Sequence, residues 1–174
     1  MYLVDQRDEA VPLEDVPQSD VGAPLPTVVA DEHRVVLGYI LSEGIPELDA
    51  TLVSSDKEVG WSVGLVRFLH PYSHMMGAPN DESLSGHPLA DRGLEAYGAF
   101  EIKHSSWIRQ LERINSVHMY HDRERFLENK RHFVFVFHDS TFECIARGYE
   151  VSLLRSTVPD TTDAIVSLLR GSGR

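Results

Sequence analysis

The sequence predicts an α+β fold: a single domain with one mainly antiparallel sheet of five to six strands and two to three packed helices. Three observations lead there. Residues 132–138 are β-branched or aromatic almost throughout, the composition of a strand. That run and its successors at 141–147 and 150–155 are separated by short turns, the spacing of a C-terminal meander. Stretches with helical spacing follow capping residues at Ser105-Ser106 and His121-Asp122, and at Asp160 or Thr161.

The 132–138 strand organises the rest. Alternation puts Phe133, Phe135 and Phe137 on one face and His132, Val134, Val136 and His138 on the other. Both rows are largely apolar, so a central strand covered on both faces is expected. With Asp139-Ser140 as a two-residue turn, Phe137 falls opposite Phe142 and Phe135 opposite Cys144. His138 and Glu143 then become diagonal neighbours. A histidine beside a carboxylate on a half-buried face is either a structural hydrogen bond, the plainer reading, or the start of a site. An exposed Phe-rich edge pairing in a homodimer is a further possibility, because strand order does not follow from the sequence.

Residues 1–33 carry Pro12, Pro17, Pro24 and Pro26 and eight carboxylates against Arg7, with no sustained apolar period. They read as a mobile acidic arm ahead of a domain at 34–171. Residues 35–41 and 61–69 are strand-like, with Gly60 and Gly64 suggesting a bend or bulge. Between them, residues 43–58 read as a break, a short strand or helix, and a turn. Residues 70–88 hold three prolines and two glycines and read as a long irregular loop, a candidate lid or site wall. Tyr97 to Lys103 is a strand. In the helix after Ser105, Trp107, Leu111, Ile114 and His118 share one stripe if the helix lasts that long. The last helix turns Ile165, Leu168 and Leu169 to the core.

Composition narrows the function classes. A net charge of −11 argues against coating nucleic acid, and no apolar run is long enough to span a membrane. One cysteine allows no internal disulfide; together with the absence of a secretory pattern at residues 1–9, this suggests a cytoplasmic setting. Cys144 reads as a small buried hydrophobe rather than a nucleophile.

Nine histidines are the chemical signal. His70 and His74, and His118 and His121, have spacings compatible with shared metal ligation, although no complete metal motif is present. A site assembled from separate segments is the sharper expectation. His118, His138 and Glu143 are its candidate catalytic groups, since imidazole titrates near neutral pH and a carboxylate orients it. His74, Asn80, Asp81, His87 and Trp107 are candidate ligand-binding residues, and His74, His118 and His138 a candidate set for a divalent metal such as zinc. The plainer alternatives are a solvated turn at Asn80-Asp81-Glu82 and surface or core histidines elsewhere. Two functions follow. One is a binding domain for a small molecule or protein partner, using the loop at 70–88 and the hairpin tip at 138–143. The other is a small hydrolase or lyase, metal-assisted or using His/Glu acid–base chemistry.

Overall fold

The computed structural model describes residues 2–42 and 60–171. The features expected at 43–58 lie outside them. The α+β class is borne out, but the strands form two antiparallel sheets instead of one.

The five-stranded sheet has β1 (Glu9–Pro12), β6 (Ala99–Lys103), β7 (Arg131–Val136), β8 (Thr141–Ala146) and β5 (Ser73–Gly77) in that spatial order. The four-stranded sheet runs β2 (Thr27–Ala30), β3 (Val35–Ile40), β4 (Trp61–Leu69) and β9 (Gly148–Ser156). Three helices complete the fold: α1 (Ser106–Asn115), α2 (Arg123–Glu128) and α3 (Val158–Gly171).

Apolar patterning explains the layers. The phenylalanine row was expected to form one face with Cys144 and Ala146, and it does. Phe133, Phe135, Phe137, Phe142, Cys144 and Ala146 pack against Val35, Leu37, Tyr39, Val66 and Phe68 of the other sheet. Each fully buried aromatic here contributes on the order of 1.5–3 kcal/mol relative to exposure. The opposite face of the five-stranded sheet, carrying Val134, Val136 and Ile145, lies under Tyr2, Trp107, Ile108 and Leu89. The outer face of the four-stranded sheet packs Val36, Val63 and Leu65 on Ile165 and Leu169 of α3. The order is helix, sheet, sheet, helix. Gly38 and Gly64 serve close approach: a Cβ on Gly38 would sit 2.7 Å from Ile165, and one on Gly64 3.0 Å from Leu41. Gly64 therefore marks no bulge, since β4 pairs with β9 without interruption from Trp61 to Leu69.

Several expectations are corrected. The third strand of the meander leaves its sheet: β9 pairs with β4, not with β8. The chain bends at Arg147, whose N–H donates to Leu69 O at 2.8 Å. On the facing strand His70, at φ 48°, turns β4 into β5, and Tyr72 N–H donates to Ile145 O at 2.7 Å. Strands that switch sheets at a bend are how corners are made in packed sheets. The irregular loop contains β5, which pairs with β8. The free arm at 1–33 is also corrected, because β1 and β2 are edge strands and Tyr2, Asp8 and Ala10 are buried. The Phe-rich strand β7 is interior, with β6 on one side and β8 on the other, so it offers no edge to a second copy.

Helix α1 is capped by Ser105, whose hydroxyl accepts from Ile108 N–H at 3.2 Å. The buried Asp8 carboxylate adds an anion at the same end, accepting from Ser106 N–H at 2.5 Å. The helix stops at Asn115, which leaves Ile114 exposed and puts His118 beyond the apolar stripe. Asp122 caps α2 as expected. Helix α3 begins earlier than expected, with Thr157 Oγ accepting from Asp160 N–H at 3.3 Å. Among the described residues no helix is long and apolar enough to cross a membrane.

Candidate functional site

The hairpin register decides which polar groups meet. Phe137 N–H donates to Ser140 O at 2.8 Å, so the turn residues are His138-Asp139, one position earlier than the sequence suggested. Moving the turn by one residue shifts the pairing by two. Phe135 therefore faces Phe142, Phe133 faces Cys144, and Val134 faces Glu143. A shift of two keeps every side chain on its face and changes only its partner. Glu143 accordingly meets His132 instead of His138, and the single expected cluster becomes two.

The first cluster is buried. Glu143 accepts three hydrogen bonds: from Tyr2 Oη at 2.5 Å, from His132 Nε2 at 2.8 Å and from His87 Nε2 at 3.3 Å. His87 Nδ1 accepts from Leu89 N–H at 3.1 Å, which leaves Nε2 to carry the proton toward Glu143. His132 Nδ1 lies 2.9 Å from the Ser105 hydroxyl. Trp107 stacks on Tyr2 with ring centroids 5.3 Å apart and meets His132 edge-on at 5.1 Å. Burial raises the Glu143 pKa, but the hydrogen bonds from His132, His87 and Tyr2 outweigh it and bring the carboxyl down to about 2. Burial lowers the pKa of His132, which is held as neutral imidazole despite the nearby carboxylate. Tyr2 is pushed up by burial and by Glu143. The histidine and carboxylate side chains are at most 6% exposed. This cluster ties the N-terminal segment, the 84–90 turns, the cap of α1 and the sheet together.

The second cluster lies at the surface. Asp81 Oδ2 accepts from His138 Nδ1 at 2.9 Å and from the Tyr97 hydroxyl in a short hydrogen bond. Tyr97 and His138 stack with centroids 6.5 Å apart. Asp81 N–H donates to His138 O, and the Thr141 hydroxyl to Pro79 O, so residues 79–81 are stitched to the hairpin tip. The Asp81 hydrogen bond holds the His138 pKa above its ordinary value, and the Asp81 pKa is lowered by Tyr97 and His138. His138 Nδ1 is engaged, while no hydrogen bond reaches Nε2 among the described residues; the side chain is 40% exposed.

Beside Tyr97 a cleft of 290 Å³ opens between the end of β7, the 95–100 segment and the 12–19 segment. Its walls mix apolar side chains, including Leu13, Val16, Phe100 and Phe137, with polar ones, including Gln18, Glu95 and Tyr97. Ser19 belongs to the lining; its hydroxyl is buried and makes no hydrogen bond among the described residues. Buried hydroxyls are rarely left so, and an unsatisfied one costs about 1–3 kcal/mol.

The sequence-derived candidates therefore divide. His87, Trp107 and Glu143 belong to the buried cluster, and Asp81 and His138 to the surface one. His118 is exposed after α1, its Nδ1 accepting from Tyr120 N–H at 3.2 Å. His74 is exposed on the edge strand β5, its ring 6.3 Å from that of Phe142. Asn80 closes a turn by accepting from Ser83 N–H at 3.1 Å. Among the described residues no three His, Cys, Asp or Glu side chains form a metal-holding group, so His74, His118 and His138 do not assemble into one. Cys144 is fully buried, and burial pushes its thiol pKa up, as suits a core residue.

Tyr2, Tyr97 and Ser19 carried no motif and were missed. His132 was placed on the correct face of its strand and missed only through the register.

The chain matches no protein-family model, no curated protein and no solved structure.

Proposed function

We propose that this protein is a binding domain for a small molecule with both apolar and polar parts, seated in the cleft beside Tyr97. The observation that carries the reading is a cleft that sets the aromatic side chains of Tyr39, Tyr97, Phe100, Phe135 and Phe137 beside the polar residues Gln18, Ser19 and Glu95. Such clefts bind through apolar area and take orientation from a few polar groups. At 290 Å³ the cleft is at the small end for ligand sites and suits one or two rings at most. The Asp81–Tyr97–His138 cluster fixes one rim, so that edge is organised before a ligand arrives.

Ligand-observed NMR with a fragment library tests the reading. Val16→Trp fills the cleft from a half-buried wall position. Fragments should bind the parent protein and lose saturable binding in the variant at unchanged secondary structure. Equal binding to both proteins would reject the cleft as the site.

A second reading is favoured by one specific feature, the exposed His138 held through Nδ1 by Asp81 with its Nε2 unengaged. A histidine so oriented suits proton transfer, and a small acid–base hydrolase or lyase would use it as general base. Turnover of any screened substrate that disappears in His138→Gln would favour this reading over simple binding.

A further inference from the structure

The cleft's lining is one-sided in charge. Of its sixteen residues Glu95 alone carries a formal charge, with no lysine, arginine or histidine among them. Glu95 is exposed and makes no ion pair or side-chain hydrogen bond among the described residues. The rim adds to the negative field: Tyr97 feels Asp81, Glu82 and Asp139, and the nearby His138 is already matched by Asp81. Five aromatic residues, Tyr39, Tyr97, Phe100, Phe135 and Phe137, line the same space. A carboxylate without a matching cation favours a positively charged ligand over an anion, and the aromatic lining suits an apolar body attached to it.

We infer that the cleft selects a small organic ammonium compound, its apolar body against Phe100, Phe137 and Val16 and its charged nitrogen at Glu95. This rests on the cleft being the binding site, and it adds the ligand's chemical class. An amine with one aromatic ring suits the cleft's size; a carboxylate of the same size should be refused. The preference is electrostatic at a solvent-exposed rim, so it is modest in size and declines with salt.

The test uses three matched probes: phenethylamine, 2-phenylethanol and 3-phenylpropionate. Their dissociation constants are measured by NMR titration against the parent protein, Glu95→Gln and Val16→Trp. The expected order is amine tightest, alcohol weaker and carboxylate weakest, with the amine favoured over the alcohol by about two- to fivefold. In Glu95→Gln that preference should vanish while the alcohol binds as before. Added salt should erode the preference in the parent protein alone. Carboxylate binding as tight as amine binding, or an amine preference that survives Glu95→Gln, would overturn the ligand class. Loss of all three probes in Val16→Trp would still uphold the cleft as the site. Binding that Val16→Trp leaves unchanged would instead reject the cleft itself.

Discussion

Replacing His132 by glutamine tests the claim that the buried cluster is an ionised carboxylate held by neutral donors. Glutamine keeps a polar group near Glu143 and cannot titrate near neutral pH. Near pH 7.5 the variant should be less stable by about 1–3 kcal/mol, the cost of disturbing a buried hydrogen-bond partner. The informative quantity is how this gap changes with pH. Burial lowers the His132 pKa in the fold below its unfolded value of 6.5. The unfolded chain then binds a proton that the folded protein refuses, so stability from this residue is complete above pH 6.5 and lost as pH falls. Single-site linkage gives a loss of about 2 kcal/mol between pH 7.5 and 5 if the folded imidazole stays neutral throughout. Glutamine has no such term, and the other titrating groups are shared by both proteins. The gap between parent and variant should therefore narrow by about 2 kcal/mol over that range. Urea unfolding followed by circular dichroism measures it. A constant gap would show that His132 exchanges no proton on unfolding. A widening gap would show that it is charged in the fold and paired with Glu143.

Four further outcomes follow from the same structure. Tyr2→Phe removes a donor to an ionised carboxylate and should cost about 1.5–3 kcal/mol in urea unfolding at neutral pH. A smaller loss would mean that Tyr2 holds its place by stacking on Trp107 alone. The hydrogen bonds on Glu143 hold its pKa near 2, below the ordinary 4.5, so its stabilisation is complete above pH 4.5 and lost as pH falls toward 2. Glu143→Gln should therefore have a flatter acid-unfolding profile in that range than the parent, and equal profiles would contradict the assignment. In Asp81→Asn the His138 pKa should drop toward its ordinary value, read by NMR titration of the ring protons. Gly38→Val places methyl groups where the nearest Ile165 atom leaves 2.7 Å for a Cβ, and overpacking should cost about 1–3 kcal/mol in thermal unfolding.

Much of the fold was legible because apolar periodicity is a local signal. The composition of residues 132–138 marked a central strand, and alternation assigned Phe133, Phe135, Phe137, Phe142, Cys144 and Ala146 to one face. What remained hidden depended on non-local pairing. Nothing in Arg147-Gly148 separates a turn back onto β8 from a bend into the other sheet; the difference lies in Leu69, which receives the Arg147 hydrogen bond. The acidic arm looked unable to fold because residues 2–33 contain too little apolar surface for a core of their own. They borrow one instead: Ala10 and Tyr2 bury themselves against α1 and the sheet. The polar clusters were half visible. Glu143 and His138 were singled out correctly as polar groups at the hairpin, but Asp-Ser against His-Asp as turn residues was undecidable from turn chemistry. That one position exchanged His138 for His132 as the partner of Glu143 and released His138 to Asp81.

The corner at His70 and Arg147 has a mechanical consequence. Strands β4 and β5 run along β9 and β8 through the bend, so one two-stranded ribbon belongs to both sheets. Neither sheet can be peeled away as a separable module without tearing that ribbon. Amide exchange at Val66, in the four-stranded sheet, and at Cys144, in the five-stranded one, should report the same opening free energy. A pulling force applied across the corner would load both sheets in series, and the molecule should yield in a single rip.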